Sequence, residues 1–176
     1  MLLFAITGIT LNHAETISAT PEVETRNAVL PPDLLPQLRA TPASGAPIPD
    51  AVATKVGDLV GLDPSGRPGE WSDEEVYVAL ERPGGDGWVS IDRATGAIEA
   101  EQTDRGWISY FNDLHKGRNG GPVWFWFIDV FAVACVIFTL TGLLLLQLHA
   151  KHRPSTWPMV GLGVAIPAAI AVFFIH

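Results

Sequence analysis

The chain has 176 residues, of which 19 are acidic and 11 are basic, so its formal net charge is −8 at pH 7. This acidic balance argues against nucleic-acid binding, which needs a basic face. The single cysteine, Cys135, excludes both a disulfide and a cysteine metal cluster within one chain. Motifs of hydrolases, phosphate-binding loops and zinc proteases are absent from the sequence, and we assign no catalytic residue and no metal site.

Residues 1–13 have the composition of half a membrane helix. As a helix, residues 1–12 would span about 18 Å, less than the ~30 Å of a bilayer's hydrocarbon core. No basic residue precedes Arg26, so this segment lacks the positive leader of a secretory signal. We interpret residues 1–13 as a first, partial transmembrane helix, and we expect an in-frame extension upstream of Met1 with basic and further apolar residues.

Residues 14–48 have the composition of a linker, because seven prolines occur between Pro21 and Pro49. Residues 49–118 show regular patterns instead and predict a small α+β domain that ends in a membrane-proximal helix. A helical spacing of apolar residues from Val52 to Val60 precedes alternating patterns that predict strands at 76–81, 88–91 and 97–101. A helix that crosses antiparallel strands would bury one apolar sheet face.

Residues 119–149 and 158–176 form the second and third predicted transmembrane helices, joined by a turn at 150–157. The second contains the almost purely apolar run 123–148, in which Asp129 is the only charge. The turn carries Lys151 and Arg153, and short basic loops stay on the cytoplasmic side of a membrane. The sequence therefore predicts that the α+β domain faces the exterior.

Three sequence elements resemble the PepSY-associated transmembrane helix family. They are the hairpin Val-Ser-Ile-Asp-Arg-Ala-Thr-Gly-Ala-Ile at 89–98, the element Leu-His-Lys-Gly-Arg at 114–118, and Ile-Thr-Gly-Ile-Thr-Leu-Asn-His at 6–13. The resemblance implies a multi-pass protein of the bacterial inner membrane, a membrane α+β fold. Three transmembrane helices would carry a small extracytoplasmic PepSY-like domain, a helix plus an antiparallel sheet, between the first and the second. Some relatives with more helices are similar to haem-containing ferric reductases of siderophore iron uptake.

The positions of the histidines are the one residue pattern in this sequence that could support cofactor chemistry. In the predicted topology, His13, His115 and His176 all lie at the outer membrane face. A b-type haem needs two axial imidazoles from different helices, which His13 and His115 could supply. The simpler interpretation is that these are interfacial histidines whose partners are water and backbone groups, and no cofactor is assigned with certainty.

Further polar and small residues lie in the apolar segments. A carboxylate in hydrocarbon is costly, so Asp129 is either a polar packing contact between helices or part of a proton or ion relay. Gly8 and Gly142 occur in a shared Phe-x-x-Thr-Gly-x-x-Leu pattern, and we interpret them as separate notches for helix packing.

Residues 92–97 resemble the start of a flavin-attachment signal at Thr95, but an Asp-x-x-Thr-Gly hairpin turn explains them with turn chemistry alone.

Two functions remain open. The first is a non-catalytic membrane protein whose extracytoplasmic domain binds or regulates a partner, as an accessory subunit of a membrane complex or a homo-oligomer. The second is a haem-binding electron-transfer subunit of a ferric-reductase-like system, with His13 and His115 as ligands. Both place the protein in the lipid bilayer.

Overall fold

The computed structural model describes residues 2–17, 20–39, 43, 45–149 and 155–174. The chain divides into two compact units, Met1–Trp126 and Phe127–His176. In chain order the elements are α1 (Leu2–Asn12), β1 (Glu22–Val29), a 3-10 helix (Leu35–Leu38), α2 (Asp50–Val60), β2 (Gly69–Trp71), β3 (Glu75–Ala79), β4 (Gly85–Asp92), β5 (Ala97–Asp104), α3 (Gly106–Lys116), α4 (Gly121–His149) and α5 (Thr156–Phe174).

The first unit is built on a five-stranded antiparallel sheet with the strand order β1-β5-β4-β3-β2. β4 and β5 form the central hairpin, and β1 pairs with β5 along its whole length, from Glu22 opposite Asp104 to Val29 opposite Ala97. Side chains alternate between the two faces of such a sheet. One face is buried and the other is open.

The hydrophobic core lies between the buried face of the sheet and α2. α2 is amphipathic and ends at Gly61, whose φ of 70° is the left-handed conformation that glycine adopts at helix C-termini. Burial of each valine or isoleucine stabilises the fold by about 1.5–3 kcal/mol relative to exposure. The buried apolar residues are Leu30, Leu38, Ile48, Val52, Ala53, Val56, Val60, Val76, Val78, Val89, Ile91, Ile98 and Ala100.

The predicted α+β class is confirmed, and the helix at 50–60 and the strands β3, β4 and β5 overlap the predicted ones. The assignment of residues 14–48 as a linker needs correction, because this range contains β1 and the 3-10 helix and contributes Leu30 and Leu38 to the core. β1 is an edge strand with charged side chains, which gives it almost no apolar alternation to recognise. The short strand β2 was also not predicted.

Among the described residues, two helices are long and apolar enough to cross a membrane, α4 and α5. At ~1.5 Å per residue, the 29 residues of α4 exceed the thickness of the hydrocarbon core, and the 19 residues of α5 nearly match it. Neither helix buries any residue that the structure describes. α1 has only 11 residues, so the first of three predicted spans stays a prediction. Within the turn at 150–157, residues 150–154 lie outside the described residues.

Arg93 is a buried arginine at the turn between β4 and β5. Its guanidinium donates to the carbonyls of Leu38 at 2.8 Å, of Arg39 at 3.0 Å and of Ser72. The guanidinium carbon also lies 5.7 Å from the centroid of the Trp71 ring, within range of a cation–π interaction. One side chain thus fastens the 3-10 helix and the strand β2 to the central hairpin.

We expect Arg93→Met to lower the free energy of unfolding by about 2–4 kcal/mol, because three carbonyls lose a charged donor while the apolar volume is kept. In a chain of this size that loss corresponds to a fall of roughly 10 °C in the thermal midpoint. The measurement is thermal unfolding of the full chain in mild detergent, followed by tryptophan fluorescence. Arg67→Met removes an exposed arginine and is the matched control. Equal midpoints for the two variants would contradict the role given to Arg93.

Candidate functional site

The candidate site is the junction of α1 with α3, where the predicted site residue His115 lies. The His115 Nδ1 atom is 2.8 Å from the Thr7 Oγ1 atom, and its ring lies 5.3 Å from the ring of Phe4. Gly8 adjoins the same ring, since a Cβ atom built at this glycine would lie 3.7 Å from the His115 Cε1 atom. That distance is an ordinary van der Waals contact. Gly8 therefore lies at the contact between the helices, but a Cβ atom would fit at this position.

A second hydrogen bond lies one helical turn away in the same junction. The Thr10 hydroxyl donates to the Asn112 Oδ1 atom over 2.9 Å. Thr7 and Thr10 are three residues apart on α1, and Asn112 and His115 are three residues apart on α3. The contacts Thr7–His115 and Thr10–Asn112 therefore occupy neighbouring turns of two antiparallel helices. Thr7 and Asn112 are both buried. This matched spacing is the signal by which the sequence could have revealed the contact.

The Thr7 hydroxyl and the His115 ring can share their hydrogen bond in either direction, depending on the tautomer of the ring. The hydroxyl oxygen lies 3.0 Å from the Leu3 carbonyl and 3.2 Å from the Phe4 carbonyl, and a hydroxyl has one proton to donate. When that proton goes to a carbonyl, His115 must donate from Nδ1 to the hydroxyl oxygen. In the neutral ring, the Nε2 atom then carries the lone pair.

The first turn of α4 completes the junction. The Trp124 indole nitrogen donates to the Leu114 carbonyl over 2.8 Å, so the last turn of α3 and the first turn of α4 are joined within the first unit. Between them lies an apolar cavity of about 40 Å³. It is lined by Leu3, Phe4, Thr7, Phe111, Leu114, His115 and Trp124.

The junction does not fit a haem in the arrangement that the structure describes. Its apolar cavity is far below the ~300 Å³ at which ligand pockets begin. His13 lies six residues beyond Thr7, which is about 9 Å further along the axis of α1. Its Nδ1 atom pairs with the Ile9 carbonyl at 3.0 Å, and its side chain is exposed. Haem ligation by His13 and His115 stays a prediction without support from this geometry.

A larger, polar cleft of about 420 Å³ lies on the other side of α3. Asp86 and Arg105 form an ion pair at 2.7 Å there, and the Asp113 carboxylate accepts from the Gly84 backbone at 2.9 Å. Sequence reasoning missed this cleft, because its residues come from three separate segments. They are Leu11, Ala14, Glu81, Gly85, Asp86, Arg105, Ser109, Asn112, Asp113, Lys116, Arg118 and Asn119.

The remaining predicted site residues lie apart from this junction in the chain. Asp129 is an exposed residue of α4, and its role as packing contact or relay stays a prediction. No side chain or other described atom lies within 4 Å of a Cβ built at Gly142, outside the helix's own nearby backbone. His176 lies outside the described residues, and those that are described contain no group of three or more metal-ligating side chains.

The segment 92–97 has the geometry of a hairpin turn. The Asp92 carboxylate accepts from the backbone of Ala94 at 2.9 Å and of Thr95 at 2.7 Å, and Gly96 has a φ of 76°. The hydrogen bond from the Thr95 backbone, with smaller contributions from its side chain and from Ala94, lowers the pKa of Asp92. Turn chemistry therefore accounts for the motif's Asp, Thr and Gly.

The open face of the sheet carries a stacked aromatic pair among carboxylates. The rings of Tyr77 and Trp88 lie 5.9 Å apart at an interplanar angle of 25°. Burial first, and then the nearby charges of Glu70, Asp86 and Glu101, raise the pKa of Tyr77. We refer to the exposed or half-exposed residues Glu70, Tyr77, Trp88, Glu99 and Glu101 as the open sheet face.

Comparison with protein families gives one match over the full length. The family described as putative PepSY_TM-like matches residues 1–176. The match confirms the resemblance carried by the hairpin at 89–98 and the element at 114–118. Neither the curated proteins nor the solved structures contain a detectable match. The family description states no activity.

We expect Thr7→Val and His115→Phe to be coupled in a double-mutant cycle, because each removes one partner of the same partly buried hydrogen bond. The coupling energy should be about 1 kcal/mol. The measurement is the thermal midpoint of the full chain in mild detergent for the wild type, both single variants and the double variant.

Thr54→Val is the matched control, since this threonine lies on α2 and bonds only within its helix, to the Asp50 carbonyl. Its effect should add to that of His115→Phe without coupling. Strict additivity of Thr7→Val with His115→Phe would show that the junction does not hold α1 against α3.

Proposed function

The chain belongs to the putative PepSY_TM-like family, and on that premise we propose that it is a non-catalytic accessory or regulatory subunit of a membrane complex. The partner is another membrane-complex subunit or a second copy of the chain. The domain lies outside the inner membrane of a bacterium, and the basic residues Lys151 and Arg153 in the sequence support this orientation.

The lipid-embedded part of this proposal rests on α4 and α5. Both helices are long enough to cross hydrocarbon, and their described residues include no buried one. A helix that is apolar all round needs an apolar environment on every side. Lipid provides that environment, and the protein is therefore membrane-associated.

The partner-binding part of the proposal rests on one observation, the open sheet face. The opposite face is sealed by α2 and holds the core, whereas Tyr77 and Trp88 stay half-exposed on this one. Aromatic residues are enriched at protein interfaces, where they offer large contact area at low entropic cost. The surrounding carboxylates favour a partner whose contacting surface is positively charged.

Catalysis would need a reactive group in a cleft, and three of the charged side chains that line the polar cleft are held in contacts within the first unit. Asp86 pairs with Arg105, and Asp113 accepts from the Gly84 backbone. These contacts hold α3 to the sheet. We therefore assign the cleft a structural role within the proposed module.

Site-specific photo-crosslinking in intact membranes tests the proposal. A benzophenone amino acid at Glu99, on the open sheet face, should give one discrete adduct with a partner. The same amino acid at Asp58, an exposed position of α2 behind the sheet, is the matched control and should give none. Tyr77→Ala combined with Trp88→Ala should abolish the adduct at position 99 while leaving the protein folded and membrane-bound.

Three results would contradict the proposal. These are the absence of any adduct at position 99, equal adducts at both positions, or an adduct that survives loss of the aromatic pair. A reducible Soret band in the purified protein, lost in both His13→Ala and His115→Ala, would instead establish the haem-binding electron-transfer subunit.

A further inference from the structure

α3 is an amphipathic helix whose faces are reversed relative to those of a soluble domain. Its polar residues Ser109, Asn112, Asp113 and Lys116 recur at helical spacing and line the polar cleft against the rest of the unit. Its apolar residues are largely exposed: Trp107 is 76% exposed, Ile108 is 38% exposed, and Phe111, which also borders the apolar cavity of the junction, is 40% exposed. In water, a surface helix places its apolar stripe inward and its charges outward.

The polar face is fixed toward the protein by specific contacts. Asn112 accepts from Thr10 on α1, and Asp113 accepts from the backbone of Gly84. Gly84 has a φ of 74°, and a Cβ there would lie 2.8 Å from the Tyr110 Cα atom, so the turn before β4 rests directly on the helix. Rotating α3 to bury Trp107 would break all of these contacts. The outward direction of the aromatic residues is therefore built into the fold.

The exposed face has the residues of a membrane interface. Trp107 packs edge-on against Tyr110, with ring centroids 5.8 Å apart, and Tyr110 packs edge-on against Phe111 at 5.6 Å. Tryptophan and tyrosine concentrate where hydrocarbon meets the headgroups, because each joins an apolar ring to a polar atom. α1, which contacts α3 in the same unit, also exposes apolar residues, namely Leu2, Leu3, Ile6 and Ile9.

The chain keeps α3 close to the bilayer. Only residues 117–120 separate the end of α3 from the start of α4, and four residues span at most ~14 Å. The bond from the Trp124 indole to the Leu114 carbonyl shortens this connection further. A helix held so near a membrane span with its aromatic face outward meets lipid.

We propose that α3 lies in the membrane–water interface, with Trp107, Ile108 and Phe111 inserted into the lipid. The occupant of this face is the headgroup and upper acyl region of the bilayer, into which interfacial helices sink by about 5–10 Å. This inference depends on α4 as a membrane span and is independent of the partner proposed above.

Fluorescence quenching in phosphatidylcholine vesicles tests this assignment. The full chain with Cys135→Ala would carry a single fluorophore on Trp107→Cys or on Phe111→Cys. Asp58→Cys, on the exposed side of α2, is the matched control. Circular dichroism of each labelled variant checks that the fold is retained.

Labels at positions 107 and 111 should be quenched several-fold more by lipids with a nitroxide high on the acyl chain than the label at position 58. A nitroxide near the bilayer centre should quench them less. Quenching of all three labels by a water-soluble quencher to the same extent would overturn the proposal. Labels at 107 and 111 that are shielded from both quenchers would also overturn it, because the face would then be covered by protein.

Discussion

An apolar medium offers no partner to a polar group, and the proposed insertion of α3 into the membrane interface depends on this constraint. The polar residues of α3 turn inward, where Asn112 meets Thr10, His115 meets Thr7 and Asp113 meets the Gly84 backbone. Each of these bonds removes a polar group from the outward face. The exposed large apolar residues of α3 are Trp107, Ile108 and Phe111, which suits a helix beside lipid.

The sheet also has one apolar face and one polar face, and its polar face is open to water. One face is apolar and sealed by α2, and the open sheet face is acidic and aromatic. The domain therefore presents two different surfaces, a lipid-compatible one on α1 and α3 and a water-facing one on the sheet. A module with this arrangement can be held at a membrane while one surface stays available to a partner.

Sequence patterns predicted the elements whose burial is one-sided and regular. The alternation in β3, β4 and β5 and the helical spacing in α2 record which side chains meet the core. β1 was not predicted, because this edge strand is held by backbone pairing with β5. Backbone pairing does not require a pattern of apolar side chains that the sequence would show. Arg93 escaped because its partners are backbone carbonyls from two distant segments.

For the site, the sequence singled out His115 and Gly8 but not their neighbours. Histidine and glycine stand out by residue type in these segments, whereas Thr7, Thr10 and Asn112 acquire meaning only when the two helices lie side by side. The haem prediction paired His115 with His13 because the topology placed both at one membrane face. In the structure His115 contacts Thr7, and haem ligation by His13 and His115 stays a prediction.

The most direct test of this account is a crosslink between α1 and α3 in native membranes. Thr10→Cys and Asn112→Cys, in a Cys135→Ala background, would be treated with a short thiol-specific crosslinker and the linked peptides identified by mass spectrometry. The account predicts efficient intrachain linkage, and no linkage when Asn112→Cys is replaced by Asp58→Cys. Absence of the link between positions 10 and 112, in protein whose cysteines react singly with the reagent, would show that α1 does not cover the polar face of α3.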